Sequence, residues 1–369
     1  MMKQDMLPLD FADRVALELS ALYERYGYKK FRLNKFERYD LYAENKAFVG
    51  ERNIITFTDQ NGDLLALKPD VTLSVAQSVP EGASERLYYN ENVYRIAPGS
   101  HEYRELRQVG VECIGDVDIR TEAELIIMAL SSLATVSADY ILDLSHIGLV
   151  LGLMEAAGLS PAEQQQVGDY IVHKNVLRLQ TFVTEHGVPK ALAGLMTSLA
   201  TIYGPLDECL EQAAALDVNE RTHHALTQLT ELARILRELN LSHNVNLDFS
   251  LVGNPGYYSG LKFRGYLAGT ARAVLSGGSY GELLRHLGKS GNAIGFAVYL
   301  DQIEELQRSL PPEEADVLIV YRPDDDAAAI CRLAQQLIDQ GKRVRVQRSE
   351  PTDIRWKERL VFGEQEEAK

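Results

Sequence analysis

The stretch Leu106–Ile114, LRQVGVECI, decides most about this chain of 369 residues. Side chains on a strand alternate with a period of two. Gln108, Gly110 and Glu112 therefore share one face, and Val109, Val111 and Cys113 share the other. The second face is apolar, while the first offers an amide, a bare backbone site and a carboxylate. Such a face can floor a small pocket, with Glu112 accepting from a cationic or N–H-bearing ligand and Gln108 supplying a neutral partner. The same pattern also describes an amphipathic strand whose polar side meets water.

On either side of this strand the texture is mixed. Before it, IITFTD and LLALK flank Asn61-Gly62, a hairpin signal, and RLYYNENVYRI supplies another strand. Phe11, Val15, Leu19, Leu22, Tyr23 and Tyr26 recur at helical spacing between a capping Asp10 and Gly27. After it, Thr121 and Glu124 read as a capping box opening a helix. Beyond the strand YILDLS, residues 146–241 read as helical throughout, with a second start signal at Ser160-Pro161-Ala162-Glu163. Strands resume at VNLDFSLV, LKFRGYLA, ARAVL and NAIGFAVYL. Strands on both sides of a helical block predict one sheet domain, its pairs antiparallel, carrying a helical insertion. Leu310-Pro311-Pro312-Glu313-Glu314 reads as a linker to a short βαβ tail with one further strand, RLVFG. The expected division is thus 1–310, with the insertion at about 146–241, and 311–369.

Composition narrows the function classes. Apolar content of 46% with 25% charged residues is that of an ordinary globular protein. No run approaches the ~20 apolar residues of a membrane helix. The N-terminal MMKQDMLPLDF carries acids where a signal peptide needs an apolar core. Cys113, Cys209 and Cys331 are scattered and fit a reducing cytoplasm, with neither a disulfide frame nor a zinc set. A net charge of −15 weighs against a large nucleic-acid surface, although Lys342, Arg343, Arg345, Arg348, Arg355, Lys357 and Arg359 cluster in the tail. His173-Lys174 and His223-His224 lie in helical patterns without spaced acids or cysteines, so no metal site is expected.

Several segments, in order, resemble the histidyl-tRNA synthetase family. TFTDQNGDLLALKPDVT resembles its strand–turn–strand element, and NVYRIAPGSHEYRELRQVGVECIG its class II motif 2 and the strand that follows. LVGNPGYYSGLKF resembles the histidine signature, while SGGSYGELL and NAIGFAVYLDQI resemble the Gly-rich loop and motif 3. The implied fold is α+β, a class II aminoacyl-tRNA synthetase-like antiparallel sheet flanked by helices, with a helical insertion and a truncated α/β anticodon-binding-like tail. Matching histidine-site positions are Asp70, Thr72, Arg95, Gln108, Glu112, Tyr257 and Tyr258. A carboxylate and a hydroxyl suit an ammonium, Glu112 suits an imidazole N–H, and two tyrosines can wall a planar ring. Arg95 suits the ligand carboxylate or a phosphate.

The nucleotide half departs from the family pattern. The signature arginine aligns with Gly253, its neighbouring aspartate with Gly256, and the motif 3 arginine with Gln302. The adenine-binding glutamate aligns with Ala97, a small glycine with Tyr299, and an arginine of the Gly-rich loop with Ser279. Lys68 replaces the first element's arginine, and Asn34 the motif 1 proline. Losing one such donor commonly costs about 2.7–4 kcal/mol in a transition state. A kept amino-acid half beside a dismantled ATP half is similar to the regulatory subunits of ATP phosphoribosyltransferase. That resemblance implies a non-catalytic, allosteric histidine sensor of histidine biosynthesis, cytoplasmic, without cofactors. Its implied partners are a short-form ATP phosphoribosyltransferase catalytic subunit, histidine, and a second copy of itself within a hetero-oligomer. An active histidyl-tRNA synthetase, a tRNA-binding pseudo-synthetase and a ligase acting on another amino acid stay open as alternatives.

Overall fold

Tyr103–Gly115 is a 13-residue strand near one side of a nine-stranded sheet. The computed structural model describes residues 10–46, 54–96, 102–251, 258–308, 313–351 and 355–362. Across the sheet the strands run Lys29–Lys30, Glu85–Ile96, Tyr103–Gly115, Asn292–Tyr299, Leu275–Ser279, Leu261–Leu267, Tyr140–His146, Val245–Asp248 and Tyr203–Pro205. The sheet was expected to be antiparallel and is so at its centre. Lys29–Lys30 pairs parallel to Glu85–Ile96, and Tyr140–His146 pairs parallel to Val245–Asp248, so the whole is mixed.

One face of the sheet is covered by the helices Phe11–Arg25 and Ile119–Val136. Tyr23 meets Phe296 edge-on at 5.9 Å, and its hydroxyl lies 3.0 Å from Ser132 Oγ. At one end of the other face, the short helices Thr72–Ser78 and Gly281–His286 close a second core around Tyr42, Tyr89, Leu73, Leu283 and Tyr280. The insertion supplies Ile147–Ala156, Pro161–Val172, Val176–Glu185, Lys190–Leu199, Leu206–Ala213 and Glu220–Glu238. The long last helix turns Leu229, Leu232 and Leu236 fully inward.

Gly62 has φ 89° in the turn between Thr56–Thr58 and Leu64–Leu67, as Asn61-Gly62 predicts. Ser160 donates from N–H and Oγ to Glu163 Oε2, and Pro161 opens the helix. The box expected at Thr121 and Glu124 is absent, however. Asp118 is the cap, its Oδ1 accepting from Thr121 N at 2.8 Å, while Glu124 is drawn away by Arg86 at 2.6 Å. The block 146–241 is not helical throughout, because Gly204-Pro205 stops the helical pattern and Tyr203–Pro205 adds an edge strand beside Val245–Asp248. The strand expected at ARAVL lies further on, at Leu275–Ser279 (LSGGS). Its glycines serve packing and not a turn, since a Cβ on Gly277 would stand 2.5 Å from Gly295 O and from the Phe263 ring.

The chain divides into two compact units, Ala12–Gln302 and a smaller one holding Ile303–Lys369 with the first residues. In the smaller unit Val344–Gln347, Glu313–Val320 and Arg355–Val361 form a parallel sheet, in that order, joined by the helix Ala327–Asp339. Four residues of the basic cluster pair with acids of the same unit. Asp316 takes Arg343 at 3.2 Å and Lys357 at 3.1 Å, Glu358 takes Lys342 at 3.1 Å, and Glu350 takes Arg359.

Candidate functional site

Gln108 and Glu112 are buried, at 4% and 1% exposure, so the polar side of their strand does not meet water. Register aligns one row of the sheet as Glu112, Gly295, Gly278, Lys262 and Ser145. Directly opposed residues of antiparallel strands share a face. The glycines in this row are structural demands. A Cβ on Gly295 would stand 1.9 Å from Glu112 Oε2, and one on Gly278 would stand 2.7 Å from the Tyr258 ring. The Glu112 carboxylate and the Tyr258 ring thus lie directly over bare backbone.

Glu112 is held from two sides. Thr72 Oγ1 donates to Oε1 at 2.8 Å and Tyr280 OH donates to Oε2 at 2.6 Å. Burial pushes its carboxyl up to about 8, with the nearby Asp70 charge adding to the rise and the two hydroxyl donors opposing it. Asp70 Oδ1 accepts from Leu73 N at 3.0 Å, which fixes the entry to the helix bearing Thr72. Arg95 Nε donates to Pro69 O at 3.0 Å, beside Asp70. The structure therefore gathers Asp70, Thr72 and Glu112 into one acid-rich end, with Gln108 buried on the same strand. Tyr258 lies at Gly278, two strands across from Glu112. Tyr257, Gly253, Gly256 and Ala97 fall outside the described residues.

On the side assigned to nucleotide, Lys68 is fully buried and its Nζ lies 2.8 Å from Glu91 Oε2. Ser279 is buried and donates to Glu122 Oε1 at 3.2 Å, and Gln302 donates to Asp301 at 2.9 Å.

Sequence reasoning missed Tyr280 and a buried polar chain next to it. Gly148 N donates to His146 Nδ1 at 3.1 Å, so Nε2 carries the proton and donates to Gln228 Oε1 at 2.8 Å. Gln228 Nε2 then donates to Glu122 Oε2 at 3.2 Å, and Ser279 completes the run. Burial lowers His146 to about 4 and raises Glu122 to about 7. The available signal was Glu122 on the apolar side of its helix, among Leu125, Ile126 and Ala129. The folded protein keeps a proton on Glu122 that the unfolded chain, near 4.5, releases. Its contribution to stability is full below pH 4.5 and is lost as pH rises through 7. At 1.36 kcal/mol per unit, wild type is expected to lose about 3 kcal/mol relative to Glu122→Gln between pH 4.5 and 8. Urea unfolding of both proteins across that range checks it, and a pH-independent difference would contradict the assignment.

The family model described as histidyl-tRNA synthetase matches residues 3–303. The chain belongs to that family. Among curated relatives, it is 28% identical over 331 residues to the ATP phosphoribosyltransferase regulatory subunit of Acetivibrio thermocellus, spanning 87% of this chain and 79% of that protein. It is 27% identical over 355 residues to the protein of the same name from Oceanobacillus iheyensis, spanning 93% and 86%. Among solved structures, an ATP phosphoribosyltransferase regulatory subunit/histidyl-tRNA synthetase from Bacillus halodurans superposes with a TM-score of 0.74 at 23% identity, over 97% and 96% of the two chains. A chain of the ATP phosphoribosyl transferase complex from Thermotoga maritima superposes with a TM-score of 0.63 at 16% identity, over 79% of this chain and 98% of that one. These structural likenesses establish the class II fold. No helix among the described residues is long and apolar enough to cross a membrane.

Proposed function

We propose that this chain is a non-catalytic regulatory subunit of ATP phosphoribosyltransferase, binding histidine at the Glu112 site and assembling with a short catalytic subunit. The curated relatives carry that name. The observation that carries the ligand assignment is the buried Glu112, oriented by Thr72 and Tyr280 above a glycine floor. An imidazole N–H meets Glu112, and the ligand ammonium meets Asp70 and the accepting lone pairs of Thr72, whose proton is already given to Glu112. Tyr257 and Tyr258 wall the ring, and Gln108 adds a neutral partner. A planar cationic fork on a triphosphate is not available from Lys68, which Glu91 neutralises. Histidine then acts by favouring one arrangement of the hetero-oligomer over another. Self-association within that assembly, in the cytoplasm, belongs to the same reading.

The test is reconstitution. Adding this chain to the short catalytic subunit is expected to raise phosphoribosyl transfer from ATP at least tenfold, and histidine is expected to lower it again. The chain alone is expected to show neither phosphoribosyl transfer nor histidine-dependent ATP–pyrophosphate exchange. Exchange above background would defeat this reading in favour of an active synthetase.

A further inference from the structure

Glu112 takes its two hydroxyl donors from the starts of two short helices. Thr72 opens Thr72–Ser78, and Tyr280 immediately precedes Gly281–His286. The far ends of the same helices meet at one side chain. Lys289 Nζ donates to Ala76 O at 2.6 Å, to Gln77 O at 2.7 Å and to Val79 O at 2.6 Å. An ammonium has three donors, and three carbonyls closing the first helix take them. The backbone of Lys289 is in turn fixed by the end of the second helix. Gly288 leaves that helix at φ 72°, its N–H donating to Arg285 O at 3.0 Å, while Lys289 N donates to Leu284 O at 2.8 Å. Glu112 and Lys289 thus pin the pair at opposite ends, with Leu73 and Leu283 in one apolar core.

The first helix cannot hold its place alone. It has seven residues and no basic side chain in its last turn, and isolated helices shorter than about 12–15 residues are marginal in water. Its last carbonyls carry the negative end of the helix dipole, and the cation answering them comes from 210 positions beyond Val79. A hydroxyl on the first residue moves with the helix that bears it. Resting on the histidine reading above, we propose that Lys289 is a positioning residue for the ligand site. By tying the end of Thr72–Ser78 to the turn after Gly281–His286, it holds the Thr72 hydroxyl on Glu112, opposite that of Tyr280. The carboxylate is thereby aimed, and the lone pairs of Thr72 are presented to the ligand ammonium. Lys289 touches no ligand itself, since its amine is engaged by backbone about 6–8 Å along the helix from Thr72.

Calorimetric titration of the full chain with L-histidine tests the assignment in a double-mutant cycle of Lys289→Met and Thr72→Val. Each single variant is expected to weaken histidine about tenfold. The double variant should bind within about twofold of Thr72→Val, because the lysine acts through the threonine. A merely structural lysine would lower the melting temperature and leave the affinity of the folded protein unchanged. A cooperatively melting Lys289→Met protein with wild-type affinity therefore overturns the proposal. So does a double variant weakened about a hundredfold, the product of independent effects. If Lys289→Met does not melt cooperatively, Lys289→Gln, whose amide still serves part of the carbonyl set, takes its place under the same criteria. Absence of histidine binding to wild type, alone and with the catalytic subunit, removes the histidine reading itself and this role with it.

Discussion

Glu112→Ala is expected to weaken histidine binding by about a hundredfold or more while leaving assembly with the catalytic subunit intact. Hydrogen bonds to charged groups are worth about 1.5–3 kcal/mol, and a tenfold change in affinity corresponds to about 1.4 kcal/mol. The truncation removes the imidazole acceptor and also strands two donors, Thr72 Oγ1 and Tyr280 OH, inside the fold. Both would turn to water or to each other, so the pocket loses shape as well as its acceptor. Glu112→Gln separates the two effects, since an amide keeps the shape and still accepts from one hydroxyl, but its NH2 group cannot accept from an imidazole N–H. Calorimetry with histidine gives the affinity, and gel filtration with the catalytic subunit gives the assembly. Normal affinity in the alanine variant would remove Glu112 from the site.

Gly295→Ala is expected to be at least as damaging, though it adds a single methyl. That methyl would stand 1.9 Å from Glu112 Oε2 and 2.5 Å from Val111 O. The carboxylate can swing aside; the backbone carbonyl cannot, because Gly295 and Glu112 are paired in register at the sheet centre. Overpacking of this kind typically costs 1–3 kcal/mol and sometimes more. An expected loss of about 3 kcal/mol in urea unfolding would come with loss of histidine binding. Retention of both would mean that the two strands separate more readily than their pairing implies.

How far the sequence could be read depended on distance along the chain. The alternation of Gln108, Gly110 and Glu112 needs only neighbouring residues, and it identified the strand that bears the carboxylate. The Asn61-Gly62 turn and the Ser160 cap are likewise local. Tyr280 was not legible, because its hydroxyl meets Glu112 across 168 positions of sequence, and nothing in SGGSYGELL distinguishes it from a core aromatic. Gly277 and Gly278 look like loop residues until the neighbouring strands show why no side chain fits there. Glu124 illustrates a competition: its spacing from Thr121 satisfies a cap, yet Arg86 from a distant strand and Tyr28 from the turn after the first helix capture it first. Lys262 could be placed on a strand from LKFRGYLA, but its partners across the sheet could not be known without register.

The run from His146 through Gln228 and Glu122 to Ser279 also bears on how the molecule can be dissected. Gln228 sits on the last long helix of the block that interrupts the sheet domain, while Glu122 and Ser279 lie on either side of that interruption. Excising the block would uncover a carboxylate, a serine and an imidazole that now satisfy one another out of water. The block is therefore a shared wall and not a detachable module, and the smallest self-sufficient form of this unit has to retain it.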